Sequence, residues 1–134
     1  MKEDISRSHE ANQRLQESEK RYRELVEGTA DLIAHTDGEG NYNFVNHMAE
    51  KLLGLSPEEC IGQCVFNVVH PDDKEETRNW FIECTEQTLQ QSSVENRLVH
   101  SKTGRVSAVV WSVSFHYDNS GNVEWIGWIA RDVT

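Results

Sequence analysis

The chain is poor in residues that staple or break a backbone: three cysteines and two prolines in 134 residues. An odd cysteine count without a signal peptide argues against a disulfide framework. Cys60, Cys64 and Cys84 are therefore expected as free thiols in a reducing, cytoplasmic setting. No apolar run is long enough to span a bilayer as a helix, so no direct membrane contact is expected. Basic charge is scarce: 13 Lys and Arg against 23 Asp and Glu, a formal net charge of −10. Phosphates would be repelled, which argues against a nucleic-acid partner. There is no Gly-x-Ser-x-Gly elbow and no phosphate loop, so the chain is read as non-enzymatic.

What is present describes one globular domain. Hydrophobic residues make up 37% and charged residues 27%, enough apolar material for a core. The organising stretch is Asp31–Asn46. Leu32–Thr36 and Tyr42–Val45 have strand chemistry, and Asp37-Gly38-Glu39-Gly40-Asn41 between them has turn chemistry. Asn46 is expected to cap a helix over His47–Leu53, with Met48 and Leu52 turned inward and Gly54 ending it.

Ahead of the hairpin, residues 2–27 are polar and helix-forming. Ala11, Leu15, Ser18, Tyr22 and Leu25 repeat at a 4-3-4-3 spacing, which places one narrow stripe on one face. Two readings stand side by side. Tyr22, Leu25 and Val26 can lay the helix on its own domain, or Leu15, Tyr22 and Leu25 can pair it with a second chain. Gly28 sits where a C-terminal cap belongs. The division is a 1–27 amphipathic helix for dimerisation or linkage and a 28–134 domain.

Beyond the hairpin, Ser56-Pro57-Glu58-Glu59 predicts a short helix opened by a capping box and stopped at Gly62. Val65–Val69 reads as a turn of helix packed into the core. Pro71 keeps His70 extended, and Asp72 or Asp73 is expected to cap a helix running to about Gln90. Thr77, Trp80, Phe81 and Cys84 share its buried face. The last third reads as three strands: Val94–His100, Arg105–Tyr117 and Asn122–Arg131. Val109, Trp111, Val113 and Phe115 alternate on one face of the second. The third is apolar on both faces, so it should be central, with short helices on one side and the N-terminal helix available for the other.

This order, with its motifs, resembles a PAS domain over about residues 20–134. The matching residues are Asp37-Gly38 through Phe44-Val45-Asn46, Ile61-Gly62, His70-Pro71-Asp72-Asp73, Glu95 and Arg97, Gly104, and the terminal Arg131-Asp132-Val133-Thr134. The resemblance implies an α+β fold: a five-stranded antiparallel sheet with short helices over one face and an N-terminal helix. It also implies a sensory or dimerisation role, commonly as a homodimer inside a larger signalling protein such as a histidine kinase of a two-component system. In the family, Asp-x-Thr joins the last strand to an output helix. Asp132 and Thr134 would do so here, with the effector missing from this chain.

Cofactors are not expected. The flavin-binding branch carries its cysteine three residues after a glycine, within Gly-x-Asn-Cys, whereas Cys64 lies two after Gly62. Heme-binding relatives ligate iron through a His on the long helix, and Lys74–Gln90 contains none. His35 alternates with Ile33 and is read as a solvent-facing or hydrogen-bonded strand residue. His47 and Glu50 stand at i, i+3 without a second pair, so no metal is expected. Two functions remain. In one, a cavity lined by Ile33, Val45, Met48, Leu52, Phe66, Trp80, Phe81, Leu98, Ser112 and Trp128 binds a small molecule. In the other, which is preferred, bulky Trp80, Phe66 and Trp128 fill that space. The domain then relays a signal through Leu15, Tyr22, Leu25, Val26, Asp132 and Thr134.

Overall fold

The computed structural model describes residues 30–134. The helix expected over residues 2–27, with Leu15, Tyr22, Leu25, Val26 and its Gly28 cap, lies outside the described residues.

Strands β1 (Leu32–Asp37) and β2 (Tyr42–Val45) form the predicted hairpin. Its turn is held by Asp37, whose carboxylate accepts from the backbone N–H of Glu39 at 2.9 Å and of Asn41 at 3.0 Å. Helix α1 (Met48–Leu52) follows, and Met48, Ala49 and Leu52 are buried. Asn46 does not cap it. Its side chain turns back to β1, accepting from Ile33 N–H at 3.2 Å and donating to the Asp31 carbonyl at 3.0 Å. The N-cap position belongs to His47, whose side chain makes no capping bond. Asn46 is fully buried, and its amide bonds backbone groups of Asp31 and Ile33 at the start of β1.

Helix α2 (Pro57–Cys60) opens with the expected capping box: Ser56 Oγ accepts from Glu59 N–H, and Glu59 Oε1 from Ser56 N–H, both at 3.2 Å. Two 3-10 turns, Val65–Val68 and Pro71–Asp73, lead into helix α3 (Lys74–Glu86), which stops short of Gln90. His70 is extended, as Pro71 requires, and its Nδ1 accepts from Asp72 N–H at 3.1 Å. Asp73 occupies the N-cap position of α3 without bonding the helix. Its carboxylate instead grips Arg97 of the next strand, with Nη2 at 2.7 Å, Nε at 3.0 Å and the Arg97 backbone N–H at 2.8 Å. A guanidinium fork matched to a carboxylate outcompetes a lone helix N–H. It holds the Asp73 carboxyl below its usual range.

Strands β3 (Gln91–Val99), β4 (Val106–Tyr117) and β5 (Val123–Asp132) complete an antiparallel sheet of order β2-β1-β5-β4-β3. The strand predicted to be central is central: β5 pairs with β1 on one side and β4 on the other. Register is set by pairs such as Ala34 with Trp128 and Val113 with Trp128. Leu32, Ala34, Thr36, Leu98, Val109, Trp111, Val113, Phe115, Ile126, Trp128 and Ala130 face the helices and are buried. Ile33, His35, Ser112, Ser114, Trp125, Gly127 and Ile129 stand on the other face.

Candidate functional site: a filled interior and an open sheet face

The space between sheet and helices is occupied by rings. Phe66 from the first 3-10 turn, Trp80 and Phe81 from α3, Trp111 and Phe115 from β4, and Trp128 from β5 meet there. Phe81 stacks on Trp128 with centroids 6.2 Å apart, and Trp111 meets Trp128 edge-on at 5.7 Å. Phe66 lies edge-on to Phe81 at 5.4 Å. Each indole N–H is satisfied: Trp128 Nε1 donates to Thr36 Oγ1 at 2.9 Å, Trp111 Nε1 to Asn96 Oδ1 at 2.9 Å, and Trp80 Nε1 to Ser92 Oγ at 3.1 Å. Asn96 in turn donates to Thr77 Oγ1 at 3.3 Å. The void left among Val65, Phe66, Val69, Thr77, Val94, Asn96, Trp111 and Trp128 is about 10 Å³. That is room for about one water.

Of the residues expected to line a cavity, Val45, Met48, Leu52, Phe66, Leu98 and Trp128 are buried in this core, and Trp80 and Phe81 pack half-buried against it. Ile33 and Ser112 are not there. Both stand on the opposite face of the sheet, because Leu32 and Ala34 take the inward positions of β1, and Trp111 and Val113 those of β4. Thr36, Thr77, Asn96 and Trp111 were missing from the expected set. Their signal was a polar residue at an inward strand or helix position near a tryptophan that needs an acceptor. The three cysteines are free, and burial pushes the Cys60 thiol up to about 11, which makes it a poor nucleophile at neutral pH. Among the described residues no group of three or more His, Cys, Asp or Glu is placed to hold a metal.

The opposite face carries a trough of about 590 Å³ over β1, β5, β4 and β3. Three cross-strand rows build it. Ile33, Ile129, Ser112 and Ser93 form the first, and Phe44, His35, Gly127, Ser114 and Gln91 the second. The third is Trp125 with His116, stacked with ring centroids 3.7 Å apart. Trp125 also lies 5.0 Å from the His35 ring, which in turn lies 5.5 Å from Phe44. Partial burial, and secondarily His116, keep the His35 imidazole below its usual pKa. Gly127 keeps the trough floor low: a Cβ there would come within 2.8 Å of Ser114 Oγ.

The end of β5 is tied down. Val133 N–H donates to the Ala108 carbonyl at 2.9 Å, and Ala108 N–H to Thr134 Oγ1 at 2.9 Å. Thr134 N–H donates to Asp132 Oδ1 at 2.9 Å. Thr134 holds the Asp132 carboxyl below its usual range.

A family model described as the PAS fold matches residues 20–133. The chain belongs to the PAS family. This PAS domain is 38% identical over 60 residues to the two-component sensor PprA of Pseudomonas aeruginosa, a stretch covering 45% of this chain and 6% of that protein. It therefore spans a small part of that relative's length. Among solved structures, a PAS domain from Colwellia psychrerythraea superposes with a TM-score of 0.74 at 27% identity, covering 86% of this chain and 96% of that one. The PAS domain of the Cronobacter turicensis quorum-sensing receptor RpfR, in complex with BDSF, superposes with a TM-score of 0.65 at 20% identity over 79% and 96% of the two chains. As a PAS domain the chain is a sensory, regulatory module and not itself a catalyst. Among the described residues no helix is long and apolar enough to cross a membrane.

Proposed function

We propose that this PAS domain is a dimerisation and relay module without a bound cofactor. A signal passes through residues 11–27 and through Asp132–Thr134 to an effector domain such as a histidine kinase. The observation that carries this reading is the filled interior: a metabolite would have to displace the packed rings of Phe81 or Phe66, or Trp128 with its hydrogen bond to Thr36. Asp132 supports the output end. Its side chain accepts from the N–H two residues on, the geometry of a helix N-cap, so a helix begun there would be coupled to β5 through one residue. The likeness to PprA favours a two-component setting. Free thiols suit a reducing cytoplasm.

A second reading, a small-molecule sensor, is favoured by one observation: the RpfR PAS domain, of the same fold, is in complex with BDSF. Neither heme nor flavin belongs to that reading, since α3 holds no His and Cys64 lies two residues after Gly62.

Native mass spectrometry of the purified chain beside its denatured mass, with an absorbance scan and light scattering of the same sample, separates the two. The relay reading expects the bare chain mass as a dimer. A mass excess lost on denaturation would establish the sensor reading instead.

A further inference from the structure

Helix α3 ends without a local reason to do so. From Lys74 to Val99 there is no glycine or proline, and Gln87, Leu89 and Gln90 are good helix formers. The helix nevertheless stops at Glu86. The stop is a Schellman turn: Thr88 N–H donates to the Thr85 carbonyl at 3.2 Å, and Leu89 N–H to the Cys84 carbonyl at 3.0 Å. The left-handed position of that turn, where glycine is usual, is filled by Thr88 at φ 56°. No other non-glycine among the described residues has positive φ, and a β-branched residue tolerates that region poorly. The Thr88 side chain is exposed, so no packing of its own holds it there.

What holds the turn is β4. Tyr117 Oη donates to the Leu89 carbonyl at 2.6 Å, and Phe115 N–H to the Gln90 carbonyl at 2.8 Å. We propose that the joint between α3 and β3 is a two-position switch latched by Tyr117. With the latch closed, α3 stops at Glu86. With it open, α3 runs on through Gln90 and Thr88 relaxes to a helical φ. The second position has a seat waiting. Leu89 follows Phe81 and Thr85 at four-residue steps, so a continued helix places it on the face those two present. That face lines an open recess of about 470 Å³ with Asp37, Gly38, Glu39 and Val123. Leu89 now packs against the core, and it would exchange that setting for Phe81 and Val123.

The other side of the switch is β3, an edge strand. A residue spans about 3.3 Å in a strand and about 1.5 Å in a helix, so lengthening α3 draws the start of β3 toward the helix. Gln91 would leave Ser114, and Ser92 would leave Val113. Ser92 Oγ is also the acceptor of the Trp80 indole N–H, so the open position frees one ring of the interior. The switch works with or without a ligand in that interior and so goes beyond the relay reading.

NMR of the chain and its variants tests this. Tyr117→Phe removes the hydroxyl and keeps the ring. In it the Cα shifts of Thr88, Leu89 and Gln90 should move to helical values, and the Phe115 amide should lose its protection from exchange. Overhauser contacts should appear between the Leu89 and Val123 methyls. Adding Thr88→Gly, which frees the left-handed turn of strain, should restore the stop and the protection. Unchanged shifts in Tyr117→Phe would overturn the latch. Random-coil shifts there, or helical shifts that persist in the double variant, would overturn the second position. The unsubstituted chain gives an independent check that stands even if Tyr117→Phe does not fold. Relaxation dispersion at the amides of residues 87–92 should be present in it and suppressed by Thr88→Gly alone. Its absence from the unsubstituted chain overturns the switch.

Discussion

The two faces of one sheet have been put to opposite uses. On the helix side, large rings interlock, each indole N–H has an acceptor, and the remaining void is about 10 Å³. On the other side, the same strands present Gly127, a row of serines and a single exposed tryptophan around a trough of about 590 Å³. Strand alternation makes this possible: Trp128 and Trp125 sit three residues apart and on opposite faces, one 2% and the other 36% exposed. A face packed to crystal-like density stores stability and resists change. A face left open stores little and is free to exchange partners. In this domain the packed rings lie inside, and the exposed apolar side chains Ile129 and Trp125 lie on the outer face.

Substitutions at the two tryptophans test that division most directly. Trp128→Ala removes the ring at the centre of the cluster and the N–H that Thr36 Oγ1 accepts, so a denaturant titration should show a loss of about 3–5 kcal/mol. A loss below about 1 kcal/mol would mean that the interior is looser than its packing implies. Next comes Asn46→Ala. The buried amide serves the Asp31 carbonyl and the Ile33 N–H, and its removal should cost about 1–3 kcal/mol in the same assay.

The Asp73–Arg97 clamp tests whether the helix layer is held to the sheet by charge. Its effect is smaller and confined in pH. The folded-state pKa of Asp73 is depressed, so its stabilisation is full above the unfolded value of about 3.9 and is lost as pH falls through the lower folded value. Asp73→Asn should therefore lower the thermal midpoint at pH 7, with the difference shrinking below about pH 4 until the two proteins coincide. A difference independent of pH would assign the effect to packing and not to charge. Smallest of all, Trp125→Ala should cost about 0.2–1 kcal/mol, the worth of a cross-strand pair. A loss like that of Trp128→Ala would erase the distinction between the faces.

Much of the architecture could be read from local chemistry. The Asp37–Asn41 turn, the Ser56–Glu59 capping box and the alternation of Val109, Trp111, Val113 and Phe115 each have a short-range cause, and each is found as expected. The errors arise where a long-range partner competes with a local one. Asn46 and Asp73 are good N-cap residues close to helix starts, yet Asn46 bonds a strand 13 residues back and Asp73 an arginine 24 residues on. Periodicity cannot announce such bonds. Ile33 and Ser112 were misassigned for a different reason. Leu32-Ile33-Ala34 is apolar throughout, so the pattern does not say which residue points inward, and only the pairing of Ala34 with Trp128 decides it. Thr36 and Asn96 were overlooked because a buried hydroxyl or amide gains meaning only beside the indole it serves.

The pairing of the first described strand with the last has a consequence for how such a module is used. Leu32 lies opposite Ala130, and Arg131 Nε comes within 3.9 Å of Asp31. The polypeptide thus returns, after a hundred residues, to the place it left. A fold that closes on itself in this way can be spliced into a linear protein as a detour that barely changes the separation of the segments on either side. Copies can be added, removed or strung in series without re-engineering their neighbours, and a change of a few ångströms between the two adjoining strands reaches both flanks at once.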